Sequence, residues 1–268
     1  ADIKAIVKYA QERYITVIPE IEMPGHALAA LAAYPEYACS DSAIEVGTNW
    51  GVYDQVFCPT EKTFTFLQDI LSEVALLFPS KYIHIGGDEV VKTRWKENAY
   101  CQELMKREKL KDENELQSYF IKRIEKFLLT RQKKIIGWDE ILEGGLAPNA
   151  AVMSWRGEAG GVQAASLKHE VVMTPGTPCY FDHYQAGPEG EPLAFGGFNT
   201  LQMVYEYEPI PSNLDTASQR YILGAQGNLW TEYITTPLQI EYMLLPRMPA
   251  LAEVVKKKKK KRNWADFN

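Results

Sequence analysis

Apolar residues along this chain recur with two different periods. Ile3, Ile6, Val7 and Tyr9/Ala10 fall at helical spacing, and the run that follows at 14–21 (YITVIPEI) is β-branched and strand-like. Further strand-like runs lie at 82–85, 134–138, 151–155, 171–174 and 221–225, with 228–230 as an extension of the last. Helical patterns fill 62–78, 113–131, 160–168 and 237–255. Helix and strand alternate throughout, which predicts a parallel sheet with helices outside it. An open doubly wound sheet and a closed barrel both satisfy that pattern.

The residues that follow the strands separate the two. Glu20, Glu22 and His26 follow the first run, Asp88 and Glu89 the second, and Trp138, Asp139 and Glu140 the third. Trp155 and Arg156, Tyr180 and Asp182, then Trp230 and Glu232 follow the others. A site collected from the carboxyl ends of all strands is the (β/α)8 arrangement, whereas an open sheet concentrates its site at one switch point. The expected fold class is therefore α/β, a (β/α)8 TIM barrel, in one domain over residues 1–268. Eight strands are two more than the sequence displays, and the first element is a helix. The expected barrel is thus N-terminally truncated to about six βα units, beginning at the helix before the third strand.

Composition narrows the ligand. The 268 residues are 46% hydrophobic and 24% charged, an ordinary globular balance. Net charge is −6, and Lys256 to Lys261 supply six of the 29 basic residues; without them 23 basic stand against 35 acidic, or −12. So acidic a body excludes nucleic acid and anionic membrane surfaces as expected partners and directs attention to a neutral ligand. No run approaches the roughly 18 apolar residues of a membrane span, and residues 1–8 lack a signal-peptide pattern. Cys39, Cys58, Cys101 and Cys179 show no CxxC or Cys/His ligand spacing, so no metal and no cofactor is expected.

The strongest chemical signal is YIHIGGDEV at 82–90: a short apolar strand, two glycines, and two adjacent carboxylates at its end. Adjacent carboxylates repel when both are ionised, so one is raised towards neutrality and can act as a general acid beside a charged neighbour. The bland alternative is that Asp88 caps the next helix and Glu89 fills its first turn; the glycine pair favours chemistry. Trp138, Trp155 and Trp230 each end a strand-like run. Individually each reads more readily as a core residue. Together they would build a π-faced wall for a sugar's C–H face or an acyl methyl. The acids after them, Asp139, Glu140 and Glu232, suit hydroxyl groups, which favours carbohydrate over lipid. His26, in MPGH, either orients a carboxylate, contacts ligand or is a satisfied structural histidine. His84, inside the strand, reads as a support for a loop or carboxylate.

These motifs carry a family resemblance. IPEIEMPGH at 18–26, HIGGDE at 84–89, GWDE at 137–140, SWRG at 154–157, CYFDHY at 179–184 and NLWTE at 228–232 resemble, in order and along nearly the whole chain, the catalytic domain of family 20 glycoside hydrolases, the β-N-acetylhexosaminidases. The resemblance implies removal of terminal β-linked N-acetylglucosamine or N-acetylgalactosamine with retention, the substrate's own 2-acetamido oxygen acting as nucleophile, an exception to the two-carboxylate scheme. Carried over by motif, Glu89 is the acid and then the base, and Asp88 holds the acetamido N–H and stabilises the oxazolinium intermediate. Tyr180 donates to the acetamido carbonyl, Trp138, Trp155 and Trp230 enclose the methyl and stack under the sugar, and Asp182 and Glu232 bind outer hydroxyls. His26 belongs to a supporting histidine–carboxylate network.

Two departures stand out: the family's first two barrel strands, with an arginine for the sugar hydroxyls, have no counterpart, and Lys256 to Lys261 replaces a less basic segment. In relatives the loop after the third strand is often pinned by a disulfide, which implies a Cys39–Cys58 pair, an oxidising compartment, and a periplasmic, cell-surface or secreted bacterial protein. Two other readings compete: a non-catalytic N-acetylhexosamine-binding barrel, because the tryptophans bind without the acidic pair, and a metal-dependent barrel lyase using Glu20, Glu22, Asp88, Glu89, Asp139 and Glu140. The tryptophans disfavour the lyase, since a hard cation needs no aromatic cage.

Overall fold

Thr60 starts the first long helix: its Oγ1 accepts from the Thr63 amide at 3.1 Å, and Glu61–Leu77 follows. Asp112 does the same for Glu113–Thr130, accepting from the Asn114 and Glu115 amides at 2.9 Å each. Each cap is worth about 1 kcal/mol because it satisfies amides that have no partner within the helix. Phe64, Leu67 and Leu71 of the first helix and Leu116, Phe120, Ile124 and Leu128 of the second are buried stripes at i, i+3/i+4 spacing. They meet at Phe64 and Phe120, whose ring centroids are 5.0 Å apart.

The structure, a computed structural model, describes residues 1–267 apart from Asp41 and Pro188. The chain divides into two compact units, Ala1–Ala151 and Val152–Asn268. In the first, helix Asp2–Gln11 leads, and β1 (Tyr82–His84) pairs in parallel with β2 (Lys134–Trp138), Ile83 opposite Ile135. Ile83, Ile85, Ile135 and Ile136 are buried, as expected of strands covered on both faces. Lys133 ties strand to helix end, its Nζ donating to the Phe78 and Ser80 carbonyls at 2.7 Å each.

In the second unit β3 (Ala151–Ser154) pairs in parallel with β4 (Val171–Met173), and β4 with β5 (Ile222–Ala225), with a register irregularity at Val171/Val172. Helix Ala159–Ser166 links β3 to β4. Arg247, fully buried, ties this unit together. Its Nη1 donates to the His183 and Asn199 carbonyls at 2.9 and 3.0 Å, and its Nη2 to those of Phe181 and Met243 at 2.6 Å each.

Three expectations need correction. Residues 14–21 form no regular strand: only Glu20 bridges His84, although the Ile21 and Met23 amides donate to the His84 and Ile85 carbonyls and the segment runs parallel to β1. Pro19 has no N–H to give a ladder. Residues 228–230 likewise reduce to one parallel bridge, Tyr180 with Asn228. The last helix is two, Pro237–Leu244 and Arg247–Lys256, because Pro246 lacks the amide a continuous helix needs. In the Lys256–Lys261 run, Lys257 pairs with Glu253 at 3.0 Å, and Arg262 just beyond donates to the Tyr205 and Tyr207 carbonyls. Among the described residues no helix is long and apolar enough to cross a membrane.

Candidate active site

β1 delivers the acidic pair through a tight turn. Gly86 and Gly87 have φ of 67° and 92°, and Glu89 takes φ 47° despite its side chain. A Cβ on Gly86 would collide with the Glu22 carboxyl, and one on Gly87 would come 2.6 Å from Ile141 Cγ2, so both positions need glycine for conformation and for space. The helix that follows, Thr93–Glu97, has Lys92 at its N-cap position with no side-chain cap. Asp88 and Glu89 therefore do not cap it, and the capping reading falls.

Instead both carboxylates face His26. Its Nε2 lies 3.3 Å from Asp88 Oδ2 and 3.3 Å from Glu89 Oε2. The hydrogen bond to Asp88 raises the imidazole above its ordinary pKa against the opposing effect of burial, with Glu89 adding to the rise. His26, like Glu89, is a non-glycine residue in the left-handed region, at φ 47°. Each such conformation costs on the order of 1 kcal/mol and clusters at functional positions. The two elements that meet here are stitched together: the Phe57 amide donates to the Pro24 carbonyl at 2.9 Å, and Trp95 Nε1 donates to the Phe57 carbonyl at 3.0 Å.

Beneath the trio lies a second acidic pair, Glu20 and Glu22, named so far only as strand-end carboxylates and as cation ligands in the lyase reading. Glu20 Oε1 accepts from Trp138 Nε1 at 2.9 Å and lies 3.1 Å from His84 Nδ1, which itself accepts from the Gly86 amide at 3.0 Å. Burial alone would raise Glu20, but His84, Glu22 and Trp138 together hold it below the ordinary range. Glu22 goes the other way, pushed up to about 10 by burial, by the charge of Asp88 and by its hydrogen bond with Glu20. Glu22 is thus a neutral acid at physiological pH, donating its proton to Glu20. IPEIEMPGH does carry a signal for it: a carboxyl two residues from another on an extended segment points to the same face.

Trp138 is 2% exposed, packed against His84 with centroids 4.8 Å apart, its N–H committed to Glu20. Asp139 and Glu140 after it are buried. The loop after the MPGH turn is closed by a Cys39–Cys58 disulfide, and the Cys101 thiol lies 3.4 Å from Cys39 Sγ in the same buried cluster as Val90 and Trp95.

The remaining candidates belong to the second unit. Tyr180 is half-buried, 6.3 Å from Trp155 and 5.6 Å from His183 between ring centroids, and Asn199 Nδ2 donates to its carbonyl at 2.9 Å. Asp182 is buried and raised to about 6, chiefly by burial and further by the charge of Glu232, while its own amide, Arg247 and the Trp230 amide oppose the rise. Trp230 and Glu232 are exposed.

Comparison with known proteins agrees with these motifs. The family model described as "Glycosyl hydrolase family 20, catalytic domain" matches residues 1–259. A beta-hexosaminidase of Porphyromonas gingivalis is 53% identical over 267 residues, covering 99% of this chain and 34% of that protein. A beta-hexosaminidase of Vibrio furnissii is 37% identical over 258 residues, covering 94% and 42%. The chain thus spans well under half the length of these two curated relatives. Among solved structures, Flavobacterium johnsoniae chitobiase gives a TM-score of 0.85 at 33% identity over 98% of this chain and 39% of that one. Vibrio harveyi exo β-N-acetylglucosaminidase in complex with N-acetylglucosamine gives 0.86 at 32%, over 99% and 42%. The α/β fold class of the (β/α)8 barrel, expected from the sequence, stands.

Proposed function

Because the chain belongs to glycosyl hydrolase family 20, we propose that the protein is a retaining exo-β-N-acetylhexosaminidase that removes terminal β-linked N-acetylglucosamine or N-acetylgalactosamine from glycans. The observation that carries this reading is the placement of Asp88 and Glu89, released from any capping duty and held 3.3 Å from one histidine. In this reading Glu89 gives its proton to the glycosidic oxygen as the bond breaks and later takes one from water. The substrate's acetamido oxygen attacks the anomeric carbon, closing an oxazolinium ring, and water reopens it with net retention.

Asp88 holds the acetamido N–H and balances the ring's positive charge. His26 sets the two carboxylates. Tyr180 donates to the acetamido carbonyl oxygen, Trp138, Trp155 and Trp230 serve the methyl group and sugar face, and Asp182 and Glu232 take outer hydroxyls. No step requires a metal or cofactor. The Cys39–Cys58 disulfide supports an oxidising compartment, and on that ground we place the protein in the periplasm, at the cell surface or outside the cell. Cell fractionation with antibody detection tests that placement.

The mechanism is tested with the full-length protein on matched nitrophenyl β-glycosides. The N-acetylglucosaminide should turn over far faster than the plain glucoside, and a thiazoline mimic of the cyclised sugar should bind much more tightly than substrate. Equal rates on the two glycosides would remove the acetamido group as nucleophile and with it the roles of Asp88 and Tyr180.

A further inference from the structure

We propose that His26, Asp88 and Glu89 form a zinc site, and that zinc bound there blocks the acid of the proposed hydrolysis. The His26 Nε2, Asp88 Oδ2 and Glu89 Oε2 atoms offer three ligands within 4.8 Å of one another. The two separations from His26 are both 3.3 Å, whereas charge-assisted N–H···O bonds are about 2.7–2.9 Å. Two ligand atoms each about 2.0–2.1 Å from a tetrahedral zinc stand roughly 3.3 Å apart, so the trio is spaced as a coordination shell more than as an ion pair.

Charge and access agree with the spacing. One imidazole and two carboxylates balance a divalent cation. Asp88 has a second oxygen, Oδ1, that is buried without a hydrogen-bond partner, so the carboxylate is not fully satisfied by its protein neighbours. The side chains of His26, Asp88 and Glu89 keep 31%, 16% and 40% of their surface exposed, which leaves the fourth position open to water, as in zinc sites with three protein ligands. Imidazole with carboxylate favours zinc over the harder magnesium, which demands octahedral oxygen. The inhibitory half of the proposal rests on the hexosaminidase reading, because a cation on Glu89 occupies the oxygen that must carry the proton.

The test is a zinc titration of the whole oxidised chain, free of thiol reductant, in competition with a chromophoric zinc indicator. One equivalent should bind, magnesium should not displace it, and Glu89→Gln and His26→Ala should each weaken binding by at least about tenfold, the loss typical even of an outer ligand. His183→Ala and Cys101→Ser should leave it unchanged. Glu89→Gln is nearly isosteric, so it decides the matter even where His26→Ala fails to fold by circular dichroism. Absence of stoichiometric zinc, or zinc retained at full affinity by Glu89→Gln, overturns the site. Displacement of zinc by the thiazoline sugar mimic supports the inhibitory half; zinc bound but not displaced by it overturns that half and counts against the hexosaminidase reading, while leaving the metal site.

Discussion

Replacing Glu22 by glutamine tests the buried proton directly. Glu22 moves from an ordinary 4.5 to about 10 on folding. Its folded pKa is raised, so the native state binds one proton more than the unfolded chain between those values. Native stability is then unpenalised below pH 4.5 and falls as pH climbs towards 10. The slope is about 1.4 kcal/mol per pH unit, so from pH 6 to pH 8 the wild type should lose up to about 3 kcal/mol through the Glu20–Glu22 pair. Glutamine keeps the shape and a donor for Glu20 but cannot ionise. His26, also raised, loses stability in the same direction as pH rises, but it is present in both proteins and largely cancels in their difference. Urea unfolding of the two chains at pH 6, 7 and 8 gives the comparison: Glu22→Gln should gain on the wild type by about 1–3 kcal/mol across that range. Parallel pH profiles would show that Glu22 is not carrying a proton in the folded protein.

Other outcomes follow from the same geometry. Glu89→Gln in the full-length enzyme should lower turnover of alkyl glycosides by about 10²–10⁴ and that of nitrophenyl glycosides much less at the glycosylation step, since a good leaving group needs little acid help; equal losses would take Glu89 out of the acid role. Asp88→Asn and Tyr180→Phe should each cost roughly 10²–10³ in kcat, the scale of one preorganised electrostatic partner, measured on the N-acetylglucosaminide. Arg247→Lys should destabilise the chain by about 3 kcal/mol, because one ammonium cannot serve four buried carbonyls in the guanidinium's fork; a midpoint unchanged in urea would argue that the anchor is dispensable. Non-reducing peptide mapping should find Cys39 joined to Cys58, and alkylation should reach Cys101 and Cys179 only after unfolding, since both are buried and their thiols are pushed up to about 12, by burial first.

The strands with unbroken apolar runs were readable from sequence because burial on both faces leaves few polar interruptions: 134–138 matches β2 to the residue. The 14–21 segment misled because β-branched content speaks for extended backbone, not for pairing, and Pro19 thins the ladder. The short helices Leu28–Ala33 and Ala99–Glu108 left little trace, the second because its polar residues outnumber its buried ones, Cys101, Leu104 and Met105. At the site, the acidic pair and His26 could be named from MPGH and GGDE, but the partition of charge could not. That Glu22 is neutral while Glu20 is ionised depends on which carboxyl meets Trp138 and His84, and only packing decides that. The commitment of the Trp138 N–H to Glu20 was equally hidden, since an indole at a strand end reads the same whether it faces ligand or core.

Arg247 has a consequence for how this protein can change over generations. Its hydrogen bonds to the stretch that carries Asp182 all go to main-chain oxygens, those of Phe181, His183 and Asn199. A grip on carbonyls is indifferent to the side chains between them. The three hydrogen bonds therefore place no demand of their own on the side chains between His183 and Asn199. Mutational drift in those side chains is decoupled from these anchors, so a lineage could vary them while the backbone on either side of Asp182 is inherited intact.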